Sequence, residues 1–110
     1  MISETGTDWA EILRLYDLLM SVTPSDAAAL ARIVAAAEAH GPSTGLTMMA
    51  DLPPSPRWHA VRAELLAREG RPGEAAQELA LSLDGPATDP ERHYREQRRQ
   101  EFLRRATSTF

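Results

Sequence analysis

The chain has 110 residues, 43% of them hydrophobic and 25% charged, with a formal net charge of -4 and no cysteine. That length supports a hydrophobic core without staples, and the missing thiols exclude disulfides, thiolate metal sites and cysteine nucleophiles. No apolar run approaches the roughly 18 residues of a membrane span, and the opening MISETGTDW lacks the basic and apolar regions of a signal peptide, so a cytoplasmic protein is expected.

The charge is unevenly spread. Residues 1–85 carry 12 acidic and 6 basic side chains, and residues 86–110 carry 4 and 6, all twelve basic residues being arginine. An acidic body with a modest arginine-rich tail does not point to nucleic-acid binding by this domain. Arginine without lysine, beside so much alanine, is the compositional bias of a GC-rich bacterial genome.

In chain order, residues 1–6 are polar and expected to be mobile. Asp8, with Glu11 three residues on, has the form of a capping box. Trp9, Ile12, Leu13, Tyr16, Leu19 and Met20 then trace one helical stripe, ending near Ser21 before Val22-Thr23-Pro24. Thr23 is the expected cap of a second helix, with Pro24 in its first position and Asp26 near its positive end. That helix is almost all alanine to His40, with Leu30, Ile33, Val34 and Ala37 on one face. Gly41-Pro42 closes it. A shorter helix is expected over Ser43–Asp51, with Leu46, Met49 and Ala50 inward; Gly45 lowers its propensity by about 1 kcal/mol relative to alanine.

After the stiff Leu52-Pro53-Pro54-Ser55-Pro56 connector comes the clearest hairpin. Ser55 caps, Pro56 opens the helix, and Trp58, Val61, Leu65 and Leu66 recur at helical spacing. Gly70 offers a left-handed stop, and Pro72 opens a return helix with Ala75, Ala76, Leu79 and Leu83 inward. Small residues on both helices (Ala60, Ala63 and Ala67 against Ala75 and Ala76) allow the backbones to approach closely. Gly85-Pro86-Ala87 ends the hairpin, and Thr88 to Glu91 is another capping signature. The last helix is expected over Pro90–Ala106, with only Tyr94, Phe102 and Leu103 as large apolar residues, and 107–110 is expected to fray. A thin stripe suits a terminal helix whose outer face meets water.

No segment alternates as a half-buried strand does. The expected fold is therefore all-α, a tetratricopeptide-like array of about six helices forming a single domain over residues 7–106. Its two hairpins open at Pro24 and Pro56, 32 residues apart, close to that repeat's length of about 34.

Little of the chain suggests chemistry. His40 and His59 have no His, Asp or Glu at helical spacing, and the Asp89 that precedes His93 by four residues is more simply a cap residue. Serines and threonines sit at helix starts, no nucleophile elbow occurs, and the glycines are helix stops, not a phosphate cradle. Glu74 and Glu78 are helix neighbours expected to face water. No enzyme activity, cofactor or metal is therefore expected. In the last helix, Glu91 with Arg95, Arg92 with Glu96 and Glu101 with Arg105 read as a self-paired, solvated face.

Several stretches together resemble the C-terminal tetratricopeptide-like extension of a group of extracytoplasmic-function RNA polymerase sigma factors. They are Asp8-Trp9 with Leu15-Tyr16-Asp17, Thr23-Pro24-Ser25, His40-Gly41-Pro42, Arg62-Ala63-Glu64-Leu65-Leu66 and the late PERHYREQRRQEFLRR. Where that family has Leu-Asn-Arg-Ala-Val, this chain has Leu30-Ala31-Arg32-Ile33-Val34, and nothing in it resembles the promoter-melting or promoter-reading sigma domains. An excised domain and a stand-alone protein both fit.

The resemblance implies a non-enzymatic regulatory module that contacts sigma core domains or RNA polymerase. The expected contact surface is a concave face lined from Trp9, Tyr16, Leu30 and Trp58, with Arg32 and Arg62 as its polar members. The alternative is a stand-alone helical-repeat protein without a transcription role, binding a peptide or small ligand or forming a homodimer.

Overall fold

A computed structural model describes residues 6–108. Among the described residues the chain is all-α: α1 (Trp9–Val22), α2 (Asp26–His40), α3 (Pro42–Met49), α4 (Pro56–Arg68), α5 (Pro72–Leu83) and α6 (Asp89–Thr107), with no strand. Within each unit described below, successive helices pack on one another, which is consistent with a helical-repeat array. Two compact units are distinguished, Met1–Leu52 and Pro53–Phe110. The expected mobile segment falls, apart from Gly6, outside the described residues, as do the last two positions of the expected C-terminal fray. Thr107 is still helical, and Ser108 caps α6.

In the first unit α2 is central and packs on both α1 and α3. Asp8 starts α1 by accepting a bond from the Glu11 N–H at 3.1 Å, while the Glu11 carboxylate pairs with Arg14. The helix reaches Val22, and Thr23 closes it by donating its N–H to the Leu19 carbonyl. Thr23 therefore ends α1 and does not cap α2, correcting the expectation. Ser25 is the cap: it is extended, and its hydroxyl accepts from the Ala28 N–H at 3.1 Å, leaving Pro24 in the connector. A hydroxyl three residues before a first-turn N–H satisfies a donor that the helix itself cannot.

Having neighbours on two sides, α2 buries more of its circumference than one stripe. Ala28, Leu30, Ile33, Ala35, Ala36 and Ala37 are all buried, whereas Val34, expected inward, is exposed. Gly41 has φ +102° and serves as the end of α2 and the start of α3, a backbone state that L side chains rarely adopt. The short α3 buries Gly45 and Met49. Ala50, expected inward, is exposed because the helix has already ended, its N–H closing a tight turn on the Thr47 carbonyl.

In the second unit α5 is central, between α4 and α6. Ser55 caps α4 by accepting from the Trp58 N–H at 3.1 Å. Ala63 and Ala75 are both fully buried, so the α4–α5 contact is made with methyl groups and the axes lie close. Gly70, at φ +77°, reverses the chain, helped by the Arg71 N–H donating to the Leu66 carbonyl at 3.0 Å. The apolar face of α5 is Ala75, Ala76 and Leu79, with Leu83 only half-buried. Fully buried Ser82 completes it, its hydroxyl donating to the Pro56 carbonyl at 2.6 Å and tying the end of α5 to the start of α4. Thr88 and Glu91 form a complete capping box on α6, with bonds of 3.2 and 3.0 Å. Of the three large apolar residues of α6 only Phe102 is buried; Tyr94 and Leu103 are exposed.

The two glycines of this unit that touch a neighbour should respond oppositely to alanine. A Cβ on Gly85 would lie 2.4 Å from Pro56 Cγ, part of a ring that cannot swing aside, whereas one on Gly73 meets only Ala106 Cβ at 3.9 Å. Gly85→Ala should cost about 1–3 kcal/mol in urea unfolding, and Gly73→Ala should be neutral or stabilising by up to about 1 kcal/mol.

Candidate functional site

Each unit carries one distinctive surface. In the first it is α1, which has no buried residue at all. One side of this helix, with Trp9, Ile12, Leu13, Tyr16 and Met20, is half-buried. Leu15, Leu18, Leu19 and Val22 fall at i, i+3, i+4 and i+7, one continuous stripe. They are 56%, 63%, 44% and 73% exposed. Leu19, expected in the packed stripe, belongs to this open one. The apolar arc of α1 is thus wider than one neighbour can cover, and a stripe of four large side chains remains in water.

The charges beside that stripe are already engaged. Arg14 pairs with Glu11, and Arg32 of α2 donates its Nε–H to Asp17 of α1. This Asp17–Arg32 pair joins the two helices. Of the remaining expected contact residues in this unit, Trp9 and Tyr16 are half-buried, and Leu30 is 8% exposed, its side chain largely spent on the core.

In the second unit, Trp58 and Arg62 belong to a cluster at the α4–α5 contact. The Arg62 guanidinium lies over the Trp58 ring, 5.9 Å from its centroid, and the His59 ring meets Trp58 edge-on at 4.9 Å. His59 Nδ1 is 2.6 Å from Glu78 Oε2, and Arg62 Nη1 is 3.7 Å from the other oxygen of that carboxylate. Glu78, expected in water, is instead half-buried between two α4 side chains, while Glu74 is exposed and pairs with Arg71. The His59–Glu78 partnership spans 19 residues, so no helical spacing in the sequence announces it.

Four of the six α6 arginines, Arg95, Arg99, Arg104 and Arg105, pair within the helix, and two, Arg92 and Arg98, reach other elements. Glu91 with Arg95 (3.1 Å) and Glu101 with Arg105 (3.3 Å) hold as expected. Arg92 does not pair with Glu96; it donates to the Leu83 and Gly85 carbonyls at 3.0 and 2.9 Å, and so serves the end of α5. Glu96 instead accepts from Arg99 and Gln100. Arg98 reaches back to α4 and grips Glu64 with two bonds of 2.8 Å, a fork that pushes the Arg98 pKa up. Arg95 is almost wholly buried, and its Nη1 has no hydrogen-bond partner. Phe102 is flanked by the Arg98 and Arg105 guanidinium groups at 4.6 and 5.6 Å.

An open cavity of about 230 Å³ lies where α4 and α6 begin, lined by Ser55, Pro56, Arg57, Pro86 and Glu91. Its polar groups are occupied: the Ser55 hydroxyl caps α4, and Arg57 Nε lies 3.4 Å from Glu91 Oε2. Among the described residues no group of three or more metal-ligating side chains comes together, and no helix is long and apolar enough to cross a membrane. Comparison with protein-family models, with curated proteins and with solved structures finds no match to this chain.

Two measurements probe the polar framework. A double-mutant cycle on Arg98→Ala and Glu64→Ala in urea unfolding should return a coupling of about 0.5–1 kcal/mol, the upper part of the range for partly exposed pairs. The Glu91 carboxyl is held below its ordinary pKa, first by the Thr88 N–H and then by the Thr88 hydroxyl and Arg57. A depressed folded-state pKa adds stability that is fully present above the unfolded value and is lost as pH falls through the folded one. The stability gap between the protein and its Glu91→Gln variant should therefore be constant at neutral pH and close as pH drops below about 4.

Proposed function

We propose that this domain is a protein-interaction module of the sigma-factor-extension type, without enzymatic activity, that influences transcription initiation by binding sigma core domains or RNA polymerase. The observation that carries the reading is the open α1 stripe. A helical array that ends in water needs polar outer faces. Here the exposed side of α1 presents four large aliphatic side chains. Such a face gives affinity through buried apolar area and contributes nothing to bond-making chemistry.

The resemblance supplies the class of partner, and ion pairs that involve residues of its motifs support the reading from a second side. Asp17–Arg32 in the first unit, and Arg62–Glu78 and Glu64–Arg98 in the second, fix helices against one another, as a rigid docking scaffold requires. Titration calorimetry with the sigma core domains from the same genome should give a saturable complex at about 10 µM or tighter, weakened at least tenfold by Leu18→Glu. No heat at several tens of micromolar would remove the proposal.

A further inference from the structure

The stripe on α1 also has the form of a two-fold interface, and we infer that a second copy of this chain occupies it, α1 packing antiparallel against α1. An isologous contact requires a patch complementary to itself. With the axis passing between Leu18 and Leu19, Leu18 meets the second copy's Leu19, and Leu15 meets its Val22. All four exposed side chains are then matched, with aliphatic groups facing aliphatic groups.

The surrounding charges favour the same occupant. No charged residue lies within the stripe, so pairing buries no charge. Asp17 and Glu11 are already neutralised by Arg32 and Arg14 and call for no partner charge. In this register Arg14, which is 75% exposed, sits beside the second copy's Thr23 at the C-terminus of its α1. That terminus has no basic residue in its own last turn, so the guanidinium of the other copy's Arg14–Glu11 pair meets no like charge there and lies on the side its dipole favours.

The area is adequate for a moderate dimer. The four side chains expose on the order of 400 Å² of apolar surface per copy, and with flanking residues two copies bury about 1,200 Å², the lower bound for a specific interface. Association is therefore expected in the micromolar range. The dimer stands independently of the proposed function; its consequence, that a partner protein must displace the second copy, rests on that reading.

Sedimentation velocity on the whole chain, with no partner present, tests the pairing. A monomer at about 1 µM should become mostly dimer by about 200 µM. Leu18→Glu and Leu19→Lys should each weaken self-association more than tenfold while leaving the helical circular dichroism unchanged, since both side chains lie in water in the free unit. Mixing the two variants should restore a dimer. The introduced carboxylate of one copy then faces the introduced ammonium of the other on one side of the axis, and the native leucines face each other on the other side. Val22→Lys gives a further reading should either variant fold poorly. A monomer at 200 µM, a dimer indifferent to all three substitutions, or weakened variants whose mixture stays monomeric would each overturn the inference. Failure here with a positive sigma-core titration would leave the proposed function standing, and the reverse result would remove only that function.

Discussion

The structure depends on the narrowness of its two central helices. α2 and α5 are each covered on two sides, and most of what they bury is alanine: Ala28, Ala35, Ala36 and Ala37 in one, Ala75 and Ala76 in the other. Methyl groups let neighbouring backbones come close, which multiplies weak dispersion contacts and leaves few voids. They also bury little area per residue. Larger side chains come both from the central helices, as Leu30, Ile33 and Leu79, and from the flanking ones, as Met49, Leu66 and Phe102.

A core of that kind tolerates little error in where helices start and stop. The chain answers with side-chain caps at Asp8, Ser25, Ser55 and Thr88, and with left-handed glycines at Gly41 and Gly70. Polar ties then lock the helix ends together. Ser82 binds the α4 carbonyl at Pro56, and Arg92 binds the carbonyls that follow α5. Arg98 grips Glu64 on the next helix but one. Most of the capping and charged motifs in the sequence prove to be such joints. They preserve the relative placement of helices within each unit, and with it the shape of any surface that unit offers.

The helices, their order and most of their ends were legible in the sequence, because caps, prolines and glycines act over three or four residues. The Thr88–Glu91 box and the Gly70 stop are cases where local chemistry had no competitor. Misreadings arose where two local signals competed or where a partner came from far along the chain. Thr23-Pro24-Ser25 offers two hydroxyls, and the one that reached a free N–H became the cap. Sequence periodicity puts Val34 and Leu19 inward because a single stripe cannot tell a helix with two neighbours from a helix with one. Helical spacing puts Glu78 in water, because His59 and Arg62 lie on another helix. The exposure of Leu15, Leu18 and Val22 has the same origin: an apolar arc is visible in sequence, but how much of it a neighbour covers is a tertiary fact.

On the proposed reading, an acidic, cysteine-free domain that leaves Leu15, Leu18, Leu19 and Val22 of one helix face open is held there by another protein chain. Amide hydrogen exchange resolved along the chain tests that claim most directly. As protein concentration rises, or as sigma core is added, protection should grow across residues 15–22 of α1 and stay constant in α6. Exchange in α1 that is indifferent to both, or protection that grows on α6 instead, would contradict the account.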